Sequence, residues 1–288
     1  MAHDHLDEPF WRSGLAVLQD FVPQEECTRL LARLASYCAE HEPPRIERAH
    51  GDRPLRYQVI DGLRMPEALP GLHDLYRRVG GTLSQLAGRP LVPFTSRAVA
   101  RNVNITPPGG SYRWHYDRNA ITGVLYLNAV AGGETDICPQ YRLALPGPLR
   151  RGVLQGSVDR LLQARPVRSR FGRQRSVVPA PGTLVVMRGD RCLHSVRMVG
   201  PGPDRVCIVM SYELADANAA SAGDDRELDD YLYRMSEQME FRIVSAELTV
   251  EALREKSPRA RRHQYARRPF SRVGPPSEGL ATPRRPPK

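Results

Sequence analysis

The chain has no apolar run approaching the ~20 residues that a membrane-spanning helix needs. Its opening residues, Met1-Ala2-His3-Asp4-His5, are polar and hold no apolar signal region, so a cytoplasmic location is expected. Cysteine is sparse and odd in number: residues 27, 38, 138, 192 and 207 are scattered, with no Cys-x-x-Cys pair. That spacing supports neither a zinc site nor a redox pair, and free thiols fit a reducing compartment. No internal repeat is visible, and no general base stands in a recognisable zinc-hydrolase motif.

Positive charge is abundant but confined. The 288 residues carry a net charge of +10. Residues 141–180 hold nine arginines and one aspartate, and residues 257–288 hold nine basic residues and one acid. Each stretch is therefore net +8, which leaves the rest of the chain at −6. A nucleic-acid-binding core would concentrate positive charge on itself, so nucleic acid is not the expected partner. Residues 257–288 are rich in Pro and Arg and poor in apolar residues, the composition of a disordered basic tail.

The most informative residues are His115 and Asp117, in Trp114-His115-Tyr116-Asp117, with His194 far downstream. His-x-Asp alone is weak, since His5-Leu6-Asp7 repeats it. Context separates the copies. The extended run from Ala98 to Thr106 and the turn Pro107-Pro108-Gly109-Gly110 precede the second copy. On a strand, alternate residues share a face, so Arg113, His115 and Asp117 point one way and Trp114 and Tyr116 the other. Two imidazoles and a carboxylate on one side of a metal leave the opposite side open, the arrangement of non-haem Fe(II) oxygenases. A reducing compartment also keeps such iron ferrous.

Arg205 is the second clue. It begins the apolar run Arg205-Val206-Cys207-Ile208-Val209-Met210, eleven residues after His194. A guanidinium buried there needs an anion, because a desolvated unpaired charge is strongly unfavourable. A dicarboxylic co-substrate supplies one in bidentate geometry.

These pieces resemble a known family. They are Pro-Gly-Gly-x-Tyr-x-x-His-x-Asp at 108–117, Thr-x-x-x-Tyr-Leu-Asn at 122–128 and Gly-Gly-Glu-Thr at 132–135, followed by Pro-Gly-Thr-Leu-Val-Val at 181–186, His-Ser-Val at 194–196 and Arg205. In order and spacing they are similar to the Fe(II)/2-oxoglutarate-dependent dioxygenases, in particular the prolyl-hydroxylase-like branch. The resemblance implies an α+β, mainly β fold: a double-stranded β-helix (jelly-roll) core with flanking N- and C-terminal helices. It implies that His115, Asp117 and His194 bind iron and that Arg205 and Tyr126 hold 2-oxoglutarate. Thr106 occupies a place where relatives often carry a tyrosine facing that co-substrate. By strand parity Tyr112 is expected to pack away from the metal. Halogenating relatives replace the motif carboxylate by a small residue; Asp117 favours oxygen insertion, with O2 as second co-substrate.

The expected organisation is support helices and loops over 1–95, a catalytic core over 96–214 interrupted by the basic insertion 141–180, helices over 215–256, and the tail 257–288. Helices are expected from Pro23 to His41 and from Leu69 to Ala87, with strand character at Tyr57–Ile60. Arg113, Arg118 and Asn104 are candidate substrate contacts. The expected substrate is a small molecule, amino acid or peptide. The insertion has two open readings: a lid or surface attracting an anionic substrate or an acidic carrier protein, or a solvated excursion. Two other functions compete. One is a nucleic-acid demethylase of the same superfamily, which usually carries a further arginine soon after the co-substrate arginine; none stands in 206–210. The other is a non-catalytic metal-binding sensor.

Overall fold

The computed structural model describes residues 9–48, 53–146 and 153–216. The helices expected within 215–256 and the tail 257–288 lie outside the described residues, apart from Ala215 and Asp216. Among the described residues no helix is long and apolar enough to cross a membrane.

Two antiparallel sheets form the body. The larger is built from β1 (Leu15–Leu18), β2 (Arg45–Arg48), β3 (Leu55–Ile60), β4 (Leu91–Pro93), β5 (Arg101–Thr106), β7 (Ile121–Tyr126), β10 (Leu184–Met187) and β12 (Arg205–Leu214). Its order is β1-β10-β7-β12-β5-β3-β2, with β4 pairing the end of β12. The smaller runs β6-β11-β8-β9, from β6 (Tyr112–His115), β8 (Thr135–Cys138), β9 (Arg175–Val177) and β11 (Leu193–Val196). The β2–β3 hairpin extends the large sheet beyond what the sequence suggests, because Pro44 and three charged residues among Arg45–Arg48 mask a strand whose Ile46 alone is buried.

Alternation along the large sheet creates two different faces. Val206, Ile208, Met210 and Tyr212 of β12, with Val103 and Ile105 of β5, join the main core against Leu72, Leu75, Val79 and Leu83 of α4 (Leu72–Ala87). Phe10 and Trp11 of α1 (Pro9–Ser13), Cys27 and Leu34 of α2 (Gln24–Glu40) and Met65 and Ala68 of α3 (Met65–Ala68) complete that core. Burying such side chains contributes about 1.5–3 kcal/mol each. Tyr76 and Tyr212 lock the two layers. Their rings stack at 4.7 Å, Tyr76 donates to the Ser211 carbonyl at 2.9 Å, and Tyr212 donates to the Tyr76 carbonyl at 2.7 Å. The opposite face presents Arg205, Cys207, Val209 and Ser211, beside Asn104 and Asn102, to an interior cavity.

The insertion folds in part into α5 (Val153–Gln163) and α6 (Arg165–Phe171), followed by β9. Arginines brace it. Arg142 pairs with Asp159 at 3.0 and 2.6 Å and lies over the Tyr116 ring, while the buried Arg168 lies 4.0 Å from the Trp114 ring centroid. Both aromatics flank the β6 histidine, so the insertion is anchored against the strand that carries His115.

Candidate metal centre and cavity

The turn at Gly109-Gly110 sets β6 in place. Gly109 has φ +76°, a conformation costly for other residues, and its N–H donates to the Val199 carbonyl at 2.8 Å. His115 then pairs directly with His194 across β6 and β11. Asp117 lies just beyond β6, fixed by its own N–H donating to the Gly189 carbonyl at 3.0 Å. The distant histidine and the local pair are thus brought together by strand register.

Ligand atoms of His115, Asp117 and His194 all lie within 4.8 Å of one another. The two Nε2 atoms stand 3.4 and 3.6 Å from Asp117 Oδ1. Each imidazole donates its Nδ1–H to the carbonyl two residues back, His115 to Arg113 at 2.9 Å and His194 to Cys192 at 3.0 Å. A carbonyl can only accept, so both rings carry the proton on Nδ1 and turn an Nε2 lone pair inward. Asp117 Oδ2 accepts from the Thr122 hydroxyl at 2.5 Å, and Asn119 donates to Thr122 at 2.9 Å. Burial pushes the Asp117 carboxyl up, but the adjacent His194 and His115 and the Thr122 hydroxyl outweigh it and hold it well below the usual range. Burial and the neighbouring His115 push His194 down to about 4. At neutral pH Asp117 is therefore a carboxylate and His194 a neutral imidazole, the states in which these groups ligate a divalent metal. The donor set and inward lone pairs fit a facially bound iron.

Gly189 closes the back of this arrangement. A Cβ there would lie 2.6 Å from the Asn119 carbonyl oxygen and 2.9 Å from Asp117 Cβ. Behind the metal strands Asp136, fully buried, accepts from Arg53 at 2.7 Å, Arg197 at 2.8 Å and Ser176 at 2.5 Å. Arg53 also donates to Ser195, next to His194, and stacks 4.8 Å from the Trp114 ring centroid. None of these tethers has a local sequence signal.

A cavity of about 410 Å³ opens over the triad, and Arg205, Thr135 and Cys207 also line it. Arg205 is 2% exposed. It donates Nε–H to the Gly133 carbonyl at 2.9 Å, Nη2 to Thr135 Oγ1 at 3.1 Å and Nη1 to Cys207 Sγ at 3.2 Å. No acid pairs with it among the described residues. Of its five N–H donors two remain unspent. Tyr126 is fully buried beneath this guanidinium, 5.0 Å from ring centroid to Cζ, and its hydroxyl donates to Thr135 Oγ1 at 2.7 Å. Tyr126 is not a wall of the cavity; Thr106, paired with Arg205 across β5 and β12, is buried and also lies outside the lining. Arg113, Arg118 and Asn104 do line it.

Tyr112 differs from expectation. It lines the cavity, 4.6 Å from the His115 ring and 5.0 Å from the Tyr57 ring between centroids. Val196 pairs with Tyr112 while His194 pairs with His115, so β6 spends three steps where β11 spends two. This bulge breaks the alternation and turns Tyr112 to the metal side. Asn102, two residues before Asn104, is a further cavity residue that the sequence reading passed over.

No protein-family model and no curated protein matches the sequence. Solved structures do match the fold. The chain is similar to the non-heme alpha ketoglutarate dependent carbocyclase SnoK from nogalamycin biosynthesis, with a TM-score of 0.55 and 15% identity over 75% of this chain and 85% of that one. The epimerase SnoN, solved in complex with Fe3+, alpha ketoglutarate and nogalamycin RO, gives 0.54 and 18% over 72% and 81%. A prolyl hydroxylase from Trichoplax adhaerens, in complex with a hypoxia inducible factor peptide fragment, gives 0.53 and 15% over 74% and 89%. The chain thus has the fold of the non-haem iron, 2-oxoglutarate-dependent oxygenases, with a His-Asp-His triad at its centre.

Proposed function

We propose that this protein is an Fe(II)- and 2-oxoglutarate-dependent dioxygenase that hydroxylates an unactivated C–H bond of a small molecule, amino acid or peptide. One observation carries the reading: the triad and a buried arginine with no acidic partner among the described residues line the same cavity. In this reading the two sheets form a double-stranded β-helix. His115, Asp117 and His194 hold the metal. Arg205 turns its two unspent N–H donors on the distal carboxylate of 2-oxoglutarate. Tyr126 fixes Thr135 and underlies the guanidinium, and Thr106 backs the strand beside it. Arg113, Arg118 and Asn104 face the substrate, which a carrier protein could present from the side of the basic insertion.

Bound iron with 2-oxoglutarate and O2 would supply the oxidative decarboxylation to succinate and CO2 that drives C–H oxidation. The chain itself does three things. It holds both imidazoles in the Nδ1–H tautomer, keeps Asp117 ionised through Thr122 and Asn119, and gathers the triad and Arg205 on one cavity. Succinate release that requires Fe(II) and disappears in His115→Ala or Asp117→Ala is the expected result. Purified protein that binds neither iron nor 2-oxoglutarate overturns the proposal. Because two structural neighbours are named for epimerisation and carbocyclisation, the product must be examined: hydroxylation adds one oxygen atom from O2 to it, and those reactions add none.

A further inference from the structure

We propose that the part of the cavity beyond the metal ligands and Arg205 takes a substrate with an apolar, ring-sized body and one anionic group, and that Arg118 selects the anion. This rests on the dioxygenase reading and names its substrate class. Part of the lining is apolar: Ile46, Leu55, Tyr57 and Val59 of the β2–β3 hairpin pack with Tyr112, beside His115, as a cluster separate from the main core, and Phe94 adds a ring. A cavity of about 410 Å³ is near the small end for ligand sites, ~300–1,000 Å³. Once a co-substrate lies against Arg205, the remainder suits a ring rather than a folded peptide.

The charges on the lining point to an anion. Its acids are Asp61 and Asp117. Asp61 accepts from the Leu63 and Arg64 N–H groups at 2.7 and 3.2 Å and faces Arg64 at 3.8 Å. Asp117 is engaged by the histidines and Thr122. Iron(II) and the doubly charged co-substrate cancel, as do Asp117 and Arg205. Arg118 is then left over: it follows Asp117 directly, lines the cavity, is exposed, and has no hydrogen-bond or ion-pair partner among the described residues. Arg48 and Arg113 line the cavity too, each engaged with neighbours of its own. An exposed guanidinium on the cavity lining attracts carboxylate or phosphate and can grip either in bidentate fashion.

The test uses the full chain loaded with Mn(II) and saturating 2-oxoglutarate, which keeps Arg205 occupied. Three probes share one body: 4-phenylbutanoate, 4-phenylbutyl phosphate and 4-phenylbutanol. At least one anion is expected to bind tenfold or more tightly than the alcohol, and the better of the two identifies the anion as carboxylate or phosphate. Arg118→Gln should raise that anion's Kd about tenfold and leave the alcohol's unmoved, Arg118→Lys should restore part of the difference, and added salt should weaken the anion alone. An alcohol that binds as well as both anions, anion binding indifferent to Arg118→Gln, or no probe binding to loaded protein overturns the proposal. Failure of the dioxygenase reading shows earlier, as absent Mn(II) and 2-oxoglutarate binding before any probe is added.

Discussion

Replacing Arg205 by Met separates the co-substrate role of this residue from its place in the fold. The guanidinium has two N–H donors left for a ligand. Hydrogen bonds to charged groups contribute about 1.5–3 kcal/mol each. A conservative total of ~3 kcal/mol is a loss of roughly a hundredfold in affinity. In the ligand-free protein two effects oppose each other: Met removes a desolvated charge but leaves the Gly133 carbonyl and Thr135 hydroxyl short of a donor. The ligand-free Tm should therefore stay close to wild type. Ligand-induced stabilisation should not. With Mn(II) in place and 2-oxoglutarate at a hundred times the wild-type Kd, wild type gains about 2.7 kcal/mol. For a domain of this size that is a rise of roughly 5–11 °C. The variant, at a concentration then equal to its own Kd, gains only about 0.4 kcal/mol, or about 1 °C. Anaerobic thermal melts with and without 2-oxoglutarate measure this. An undiminished shift in Arg205→Met would refute the assignment of the buried arginine to the co-substrate.

Three further outcomes are expected. Thr122→Val removes the hydroxyl that donates to Asp117 and should weaken Mn(II) binding about 10–100-fold with the fold intact; isothermal titration returning the wild-type Kd would contradict it. Asp136→Asn strips the buried acid from Arg53 and Arg197 and should lower urea-unfolding stability by about 3 kcal/mol, a loss under 0.5 kcal/mol being the contrary result. The metal-free protein should lose stability on acidification. His194, held down to about 4 in the fold, binds its proton more readily when unfolded, near 6.5, so stability falls as pH drops from about 6.5 to 4. The depressed Asp117 adds a loss in the same direction below about 4, where the unfolded chain protonates first. Urea midpoints that stay flat between pH 7 and 4, in wild type as in His194→Gln, would refute this.

The parts of the site legible in the sequence are those governed by strand alternation. His115 and Asp117 two apart, and the cavity-facing series from Arg205, follow from period two, and register brings in His194. Tyr112 escaped because one extra residue in β6 reverses parity, and no residue type announces a bulge there. The β2–β3 hairpin was half hidden because its outward residues are charged and its inward face holds only a satellite cluster. The Arg53–Asp136–Arg197 tether could not be read at all: its members stand 83 and 61 residues apart and meet only in the folded chain. The insertion, open between lid and solvated excursion, contains two helices braced by Arg142 and Arg168, arginines that look like surface charge in the sequence.

The most direct test is to supply Fe(II), 2-oxoglutarate and 18O2 to the purified protein and weigh the succinate formed. The proposed chemistry predicts succinate carrying one 18O atom, formed one for one with 2-oxoglutarate consumed, and absent from His115→Ala and His194→Ala. Unlabelled succinate, or none from protein shown to hold iron and 2-oxoglutarate, would contradict it.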